Sequence, residues 1–186
     1  MTVRLANKND IETIMHIECA SFAKDICESK ETFLKRINIA PSYFIVFEKD
    51  AKIVGYLCAE KWETLPTGVT VFQLNHDITK THKPNGNILY ISSFAVLPCA
   101  RGHGNGKHFF ESALNFFLEN DKTISTFALI VNELWQSALS IYKSFGFIIK
   151  EIFPNFFLQN QNYSRALFML SQKKTGLHAC GTRKVQ

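Results

Sequence analysis

The chain has 186 residues, 46% of them hydrophobic and 20% charged, with a formal net charge of +5. That length and balance build one domain with a real core and exclude two full ones. The mild positive charge suits a small anionic ligand, and without a basic run interleaved with aromatics it excludes a nucleic-acid partner.

"TVRLA" reads as a first strand, and Asn7 with Asp10 forms a capping pair for a helix carrying Ile11, Ile14 and Ile17. Ser29 caps a second helix with Phe33, Leu34 and Ile37 on its apolar face. "SYFIVFE" and "KIVGYLCAEKW" follow as a hairpin around the polar "KDA". A long connection, residues 63–87, holds Pro66, Gly68, Pro84, Gly86 and a β-like patch, "VTVFQL". Connections of this length are usually functional or disordered.

"NILYISSFAVL" is a strong fourth strand. After a glycine-rich loop comes an amphipathic helix that turns Phe109, Phe110, Leu114 and Phe117 inward. "TFALIV" is a buried fifth strand, and "ELWQSALSIYKSF" a helix ended by Gly146. "FIIKEIF" and "SRALFML" are closing strands paired around "LQNQNY". The order is that of a mixed α/β (α+β) single domain, with a central sheet of about six to seven strands and about four flanking helices. The domain is expected over residues 1–171, and 172–186, with several positive charges, as a flexible tail.

Cysteines at 19, 27, 58, 99 and 180 are odd in number and include no Cys-x-x-Cys. This argues against a disulfide scaffold or zinc ribbon and for reduced thiols in the cytoplasm. The six histidines lack ligand spacing, so no metal is expected. No apolar run approaches the ~18 residues of a membrane span, and "MTVRLANKND" has no signal-peptide core.

The loop Arg101-Gly102-His103-Gly104-Asn105-Gly106-Lys107 carries the clearest chemistry. A P-loop is excluded, because Arg101 stands where its first glycine belongs and His108 where its hydroxyl residue belongs. Neither register of the glycines completes Gly-x-Gly-x-x-Gly. What remains is Arg-x-x-Gly-x-Gly after a strand and at the start of a helix. Successive N–H groups there point at one place, the helix dipole favours an anion, and glycines let a pyrophosphate come close.

"FAVLPCARGHGNGKHFFESAL" resembles motif A of the GNAT acetyltransferases, and "SALSIYKSFGF" their motif B. "IECASFAKD" is similar to the end of their first helix. Within that family the chain is most similar to the arylalkylamine N-acetyltransferases, through its long connection, "KPNG" and "IYKSFGF", and also to the amino-terminal acetyltransferases of ribosomal proteins.

The resemblance implies acetyl transfer from acetyl-CoA to a primary amine by direct attack in a ternary complex. The acceptor is a small amine, an aromatic one included, or, alternatively, a protein amino terminus or lysine; the third alternative is a silent acyl-CoA-binding module. It implies that Arg101, Gly102, His103, Gly104, Asn105, Gly106 and Lys107 hold the pyrophosphate. Phe94, Ala95 and Val96, where the fourth strand splays from the fifth, meet the pantetheine arm and bind the thioester carbonyl. Tyr142 matches the motif B tyrosine that protonates the departing thiolate.

The family's arylalkylamine enzymes carry two histidines on the fourth strand; the matching residues here are Tyr90 and Ser92, which by strand alternation share a face with Phe94. They would line a water relay, or else Glu60 or Glu63 would serve as base. The stretch "AKDICESKE" lacks the proline of the arylalkylamine pocket. Trp62, Phe72 and Tyr90 are candidates for an aromatic acceptor pocket, and Asp25, Glu28, Glu60 and Glu63 for attracting its cation. The protein is expected as a monomer or homodimer.

Overall fold

The computed structural model describes residues 2–159 and 161–172. Seven strands form one sheet in the order β1-β2-β3-β4-β5-β7-β6. They are β1 (Thr2–Leu5), β2 (Phe44–Lys49), β3 (Lys52–Trp62), β4 (Ile88–Val96), β5 (Thr126–Asn132), β6 (Ile148–Gln159) and β7 (Asn162–Gln172). All neighbours are antiparallel except β4 and β5.

Helices α1 (Ile11–Ser21) and α2 (Lys30–Ile39) cover one face, and α4 (Asn105–Asn120) and α5 (Gln136–Ser144) the other. A single turn, α3 (Ile78–Thr81), lies in the long connection. Successive residues of β2 go to opposite cores: Phe44 and Val46 to α1 and α2, Ile45 and Phe47 to α4 and α5. A strand buried on both faces reads as an unbroken apolar run, and "FIVF" does.

The caps act as the sequence suggests. Asn7 and Asp10 form a reciprocal capping box, and the Ser29 hydroxyl accepts from Thr32 N. The β2–β3 hairpin turns on Asp50 and Ala51, both left-handed, at φ 51° and 60°. That geometry matches the twist of the flanking strands.

Three sequence expectations change. The patch "VTVFQL" is no strand: Thr70–Phe72 is a 3-10 turn. Its hydrophobic pattern reflects Phe72, which is buried against Trp62, Tyr90, Phe153 and Phe168. The stretch "LQNQNY" is mostly strand, because β6 runs to Gln159 and β7 restarts at Asn162. Strand β7 ends at Gln172, one residue past the expected domain boundary; the tail from 173 lies outside the described residues.

The long connection is docked by a buried polar network. Asn75 N donates to Glu28 Oε2 at 2.9 Å, and Arg36 Nη2 donates to Glu28 Oε1 at 2.8 Å. His76 lies 3.3 Å from Arg36 Nη2 through Nδ1 and 3.2 Å from Glu60 Oε1 through Nε2. The far end of the connection is pinned at Gly86, where an added Cβ would stand 2.2 Å from the Trp62 carbonyl oxygen. Since backbone cannot yield there, Gly86→Ala is expected to cost at least ~2 kcal/mol of stability, read by denaturant melts.

Candidate active site

Strands β4 and β5 pair only from Ile88 to Ile91 and from Thr126 to Leu129. Beyond that, Ser93–Val96 pairs with β3 alone and Ile130–Asn132 with β7 alone. The split therefore opens at Ser92, two residues earlier than the sequence resemblance placed it. Leu97 N donates to Val54 O, so by ladder alternation Phe94 and Val96 turn their backbone groups toward the split. Consistent with this, Val96 O accepts from Arg101 Nε at 2.8 Å rather than from β3.

A cavity of about 1380 Å³ runs through this split. It exceeds the ~300–1,000 Å³ of ordinary ligand pockets and suits a long ligand. Phe94, Ala95 and Val96 line it, as do Arg101, Gly102, Gly104, Asn105, Gly106 and Lys107. His103, placed by sequence in the same group, is not part of the lining.

The glycines do different work. Gly102 and Gly104 hold φ of 84° and 79°, a left-handed conformation that favours glycine, and nothing of the protein would meet a Cβ at either. Gly106 instead lets α5 approach: a Cβ there would lie 3.2 Å from Ile141 Cδ1. The N–H groups of Gly102, His103, Gly104, Gly106 and Lys107 have no backbone acceptor among the described residues. Asn105 stays committed to the loop, its side-chain amide donating to Ala100 O at 2.9 Å. These unpaired amides at the start of a sixteen-residue helix form an anion cradle.

Tyr142 lines the cavity from α5, although it is only 7% exposed. Its ring packs on Phe110 at 5.0 Å and Phe147 at 6.0 Å. Its carbonyl accepts from Phe145 N and Phe147 N at the helix end, where Gly146 takes φ 80°. The hydroxyl has no hydrogen bond among the described residues, and burial alone pushes it well above the ordinary phenol range.

Tyr90 and Ser92 also line the cavity, but Tyr90 and Phe94 do not share a face. The β3–β4 ladder slips between Cys58 and Ala59, making Ser92 the extra residue of a β-bulge. Past it the alternation inverts. Tyr90 stacks on Trp62 at 4.1 Å on the α1 side of the sheet, whereas Phe94 packs on Phe47 and Phe110 on the α4 side. Ser93, not Phe94, continues the Tyr90 face. The Ser92 hydroxyl donates to Cys58 O at 3.1 Å.

Glu60 and Glu63 do not line the cavity. Glu60 is buried and accepts from Trp62 Nε1 at 2.6 Å and Thr81 Oγ1 at 3.0 Å. Glu63 lies exposed at the strand end. Trp62 fills space beneath Tyr90 and Phe72 instead of bordering the pocket.

Asp25 and Glu28 do line it, together with residues that sequence reasoning left without a role: Glu18, His76, Ser93 and Trp135. Glu18 had a visible signal: it falls on the buried stripe of α1 with Ile11, Ile14 and Ile17, where a carboxylate is costly. Trp135 joins the cavity walls, its ring 5.5 Å from both Phe22 and Phe157. Strand β6 lies against the turn Lys24–Ile26, so the cavity is bridged on this side.

Among the described residues no group of His, Cys, Asp and Glu could hold a metal, and no helix is long and apolar enough to cross a membrane.

The same fold occurs in proteins of different named activities. The GphF GNAT-like decarboxylase, solved with isobutyryl-CoA, matches with a TM-score of 0.77 at 16% identity over 92% of this chain and 99% of that one. The ribosomal-protein-S18-alanine N-acetyltransferase from Escherichia coli matches at 0.69 and 18%, over 96% and 99%. Arabidopsis thaliana Naa50, in complex with the bisubstrate analogue CoA-Ac-MVNAL, matches at 0.69 and 15%, over 92% and 98%. No match was found among curated protein sequences. The acetyltransferase (GNAT) family matches residues 11–147, from the first turn of α1 through the end of α5. With that span and the split sheet described above, the chain belongs to the GNAT acetyltransferase family.

Proposed function

We propose that the protein transfers an acetyl group from acetyl-CoA, its donor substrate, to a primary amine by direct attack. The observation that carries this reading is the continuity of the cavity from the amide cradle to Tyr142. An acyl-CoA has that outline: an anionic pyrophosphate, a thin amide-bearing arm and a thioester. The cradle fits the first, with Lys107 and the free edge of Arg101 adding charge. The outward backbone groups of Phe94 and Val96 fit the second and offer an N–H to the thioester oxygen. Relatives solved with isobutyryl-CoA and with a CoA–peptide conjugate support a CoA ligand in this fold.

The chemistry must then move two protons from the acceptor ammonium, one to solvent and one to the leaving thiolate. Tyr142 suits the second. A phenol raised by burial stays protonated throughout the working pH range. Because its phenolate would be costly, it gives its proton to sulfur as it takes one from the attacking nitrogen. The aromatic bridge of Phe22, Trp135 and Phe157 narrows the acceptor side, which favours an amine that enters end-on. A small amine and the free end of a peptide both fit that description.

The test is CoA thiol release from acetyl-CoA in the presence of phenethylamine or an alanine-initiated tetrapeptide. We expect amine-dependent release with one of them. Tight acetyl-CoA binding without turnover of either would leave a silent acyl-CoA-binding module.

A further inference from the structure

An acceptor amine arrives protonated, and neither Tyr90 nor Ser92 is a base near neutral pH. We propose that Glu18 is the terminal acceptor of that first proton, reached from the cavity through the hydroxyls of Ser93 and Tyr56; this rests on the N-acetyltransferase reading.

The geometry is a continuous chain of oxygen atoms. Ser93 lines the cavity where β4 has left β5. Its Oγ lies 2.7 Å from the hydroxyl of Tyr56, a fully buried residue of β3. Tyr56 in turn donates to Glu18 Oε2. Glu18 Oε1 accepts from Glu28 N at 2.8 Å, which fixes the carboxylate in place. The bulge at Ser92 makes this possible. Without it Ser93 would fall on the α4 face, away from Tyr56.

Protons balance along the chain. The acceptor N–H donates to Ser93 Oγ, the Ser93 proton passes to Tyr56 Oη, and the Tyr56 proton to Glu18 Oε2. Each hydroxyl ends as it began, the amine is neutral, and Glu18 is a neutral carboxyl. Its proton leaves by the cavity water, since Glu18 also borders the cavity. The nitrogen lone pair then forms the C–N bond as the C–S bond breaks. The second nitrogen proton goes to Tyr142 as Tyr142 protonates the thiolate.

The surroundings tune Glu18 for this task. Burial raises its carboxyl to about 7, opposed by the hydrogen bonds from Tyr56 and Glu28 N. Of the charged and titratable groups facing it, Glu28 pushes it up and Arg36 of α2 pulls it down, while Cys27 lies close by in the loop. A base poised near the operating pH takes and releases a proton with equal ease. A carboxylate only 1% exposed on an apolar helix stripe costs stability, and a mere cap for Glu28 N would not require that charge.

The experiment is kcat/KM against pH, from about pH 6 to about pH 10, for Glu18→Gln and Ser93→Ala with acetyl-CoA and the two acceptors named above. Glu18→Gln is expected to lose roughly 10²-fold near neutral pH, with acetyl-CoA binding unchanged. The loss should shrink as the acceptor becomes neutral on its own, at about pH 8 for the peptide and higher for the alkylamine. Ser93→Ala should show a defect of the same pH shape, and it carries the test alone if Glu18→Gln does not fold. A wild-type profile in both variants, or a loss of equal size at every pH, overturns the relay while leaving the acetyltransferase reading intact. Wild-type protein that turns over neither acceptor removes both.

Discussion

Tyr142→Phe is expected to lower kcat by roughly 10²-fold or more while leaving the acetyl-CoA Kd unchanged. The substitution removes one oxygen and keeps the ring that packs on Phe110 and Phe147, so the fold and the cavity wall stay as they are. The Tyr142 carbonyl bonds that close α5 are untouched, being backbone. What is lost is the hydroxyl that the proposed mechanism uses as donor to the departing sulfur. Because burial holds that hydroxyl well above the ordinary phenol range, wild-type kcat should show no alkaline fall from Tyr142 ionisation up to about pH 10. Steady-state kinetics over that range, paired with calorimetric titration of acetyl-CoA, measures both. An unchanged kcat in Tyr142→Phe removes the residue from the chemistry.

Gly104→Val should abolish acetyl-CoA binding in a protein that still folds. No protein atom lies within 4 Å of a Cβ at this position, so the new side chain meets only the space in front of the amide cradle. Its cost to the fold is the left-handed φ of 79°, about 1–2 kcal/mol for a residue with a Cβ. A circular-dichroism melt separates that cost from the binding defect. Gly102, equally open, should behave alike. Normal acetyl-CoA affinity in folded Gly104→Val would mean the pyrophosphate sits elsewhere.

Much of the fold was legible because its signals are local. The Asn7–Asp10 box, the Ser29 cap, the "FIVF" run and the glycines before α4 each state a backbone requirement within a few residues. Phe72 misled for the opposite reason. Its burial comes from partners on β3, β4, β6 and β7, and an apolar residue in a 3-10 turn carries no period.

The glycine loop was readable in the same way, as a backbone requirement at a helix start. The surroundings of Tyr90 and Ser92 were not. A single bulge at Ser92 exchanges the faces of everything after it, and alternation applied through the bulge set Tyr90 beside Phe94 and hid Ser93. Glu60 looked available in sequence, yet Trp62, Thr81 and His76 occupy it. Glu18, by contrast, broke an apolar stripe, and that misfit marked a residue now lining the cavity.

The most direct measurement is the stoichiometry of a single reaction: acetyl-CoA, the protein and an amine acceptor, with free CoA thiol and acetylated amine quantified together. We expect the two products in equal amounts, both dependent on the amine and both formed more slowly by the same factor in Tyr142→Phe. Thiol without acetylated amine, or acetyl-CoA bound tightly with neither product formed, contradicts acetyl transfer as the function of this site.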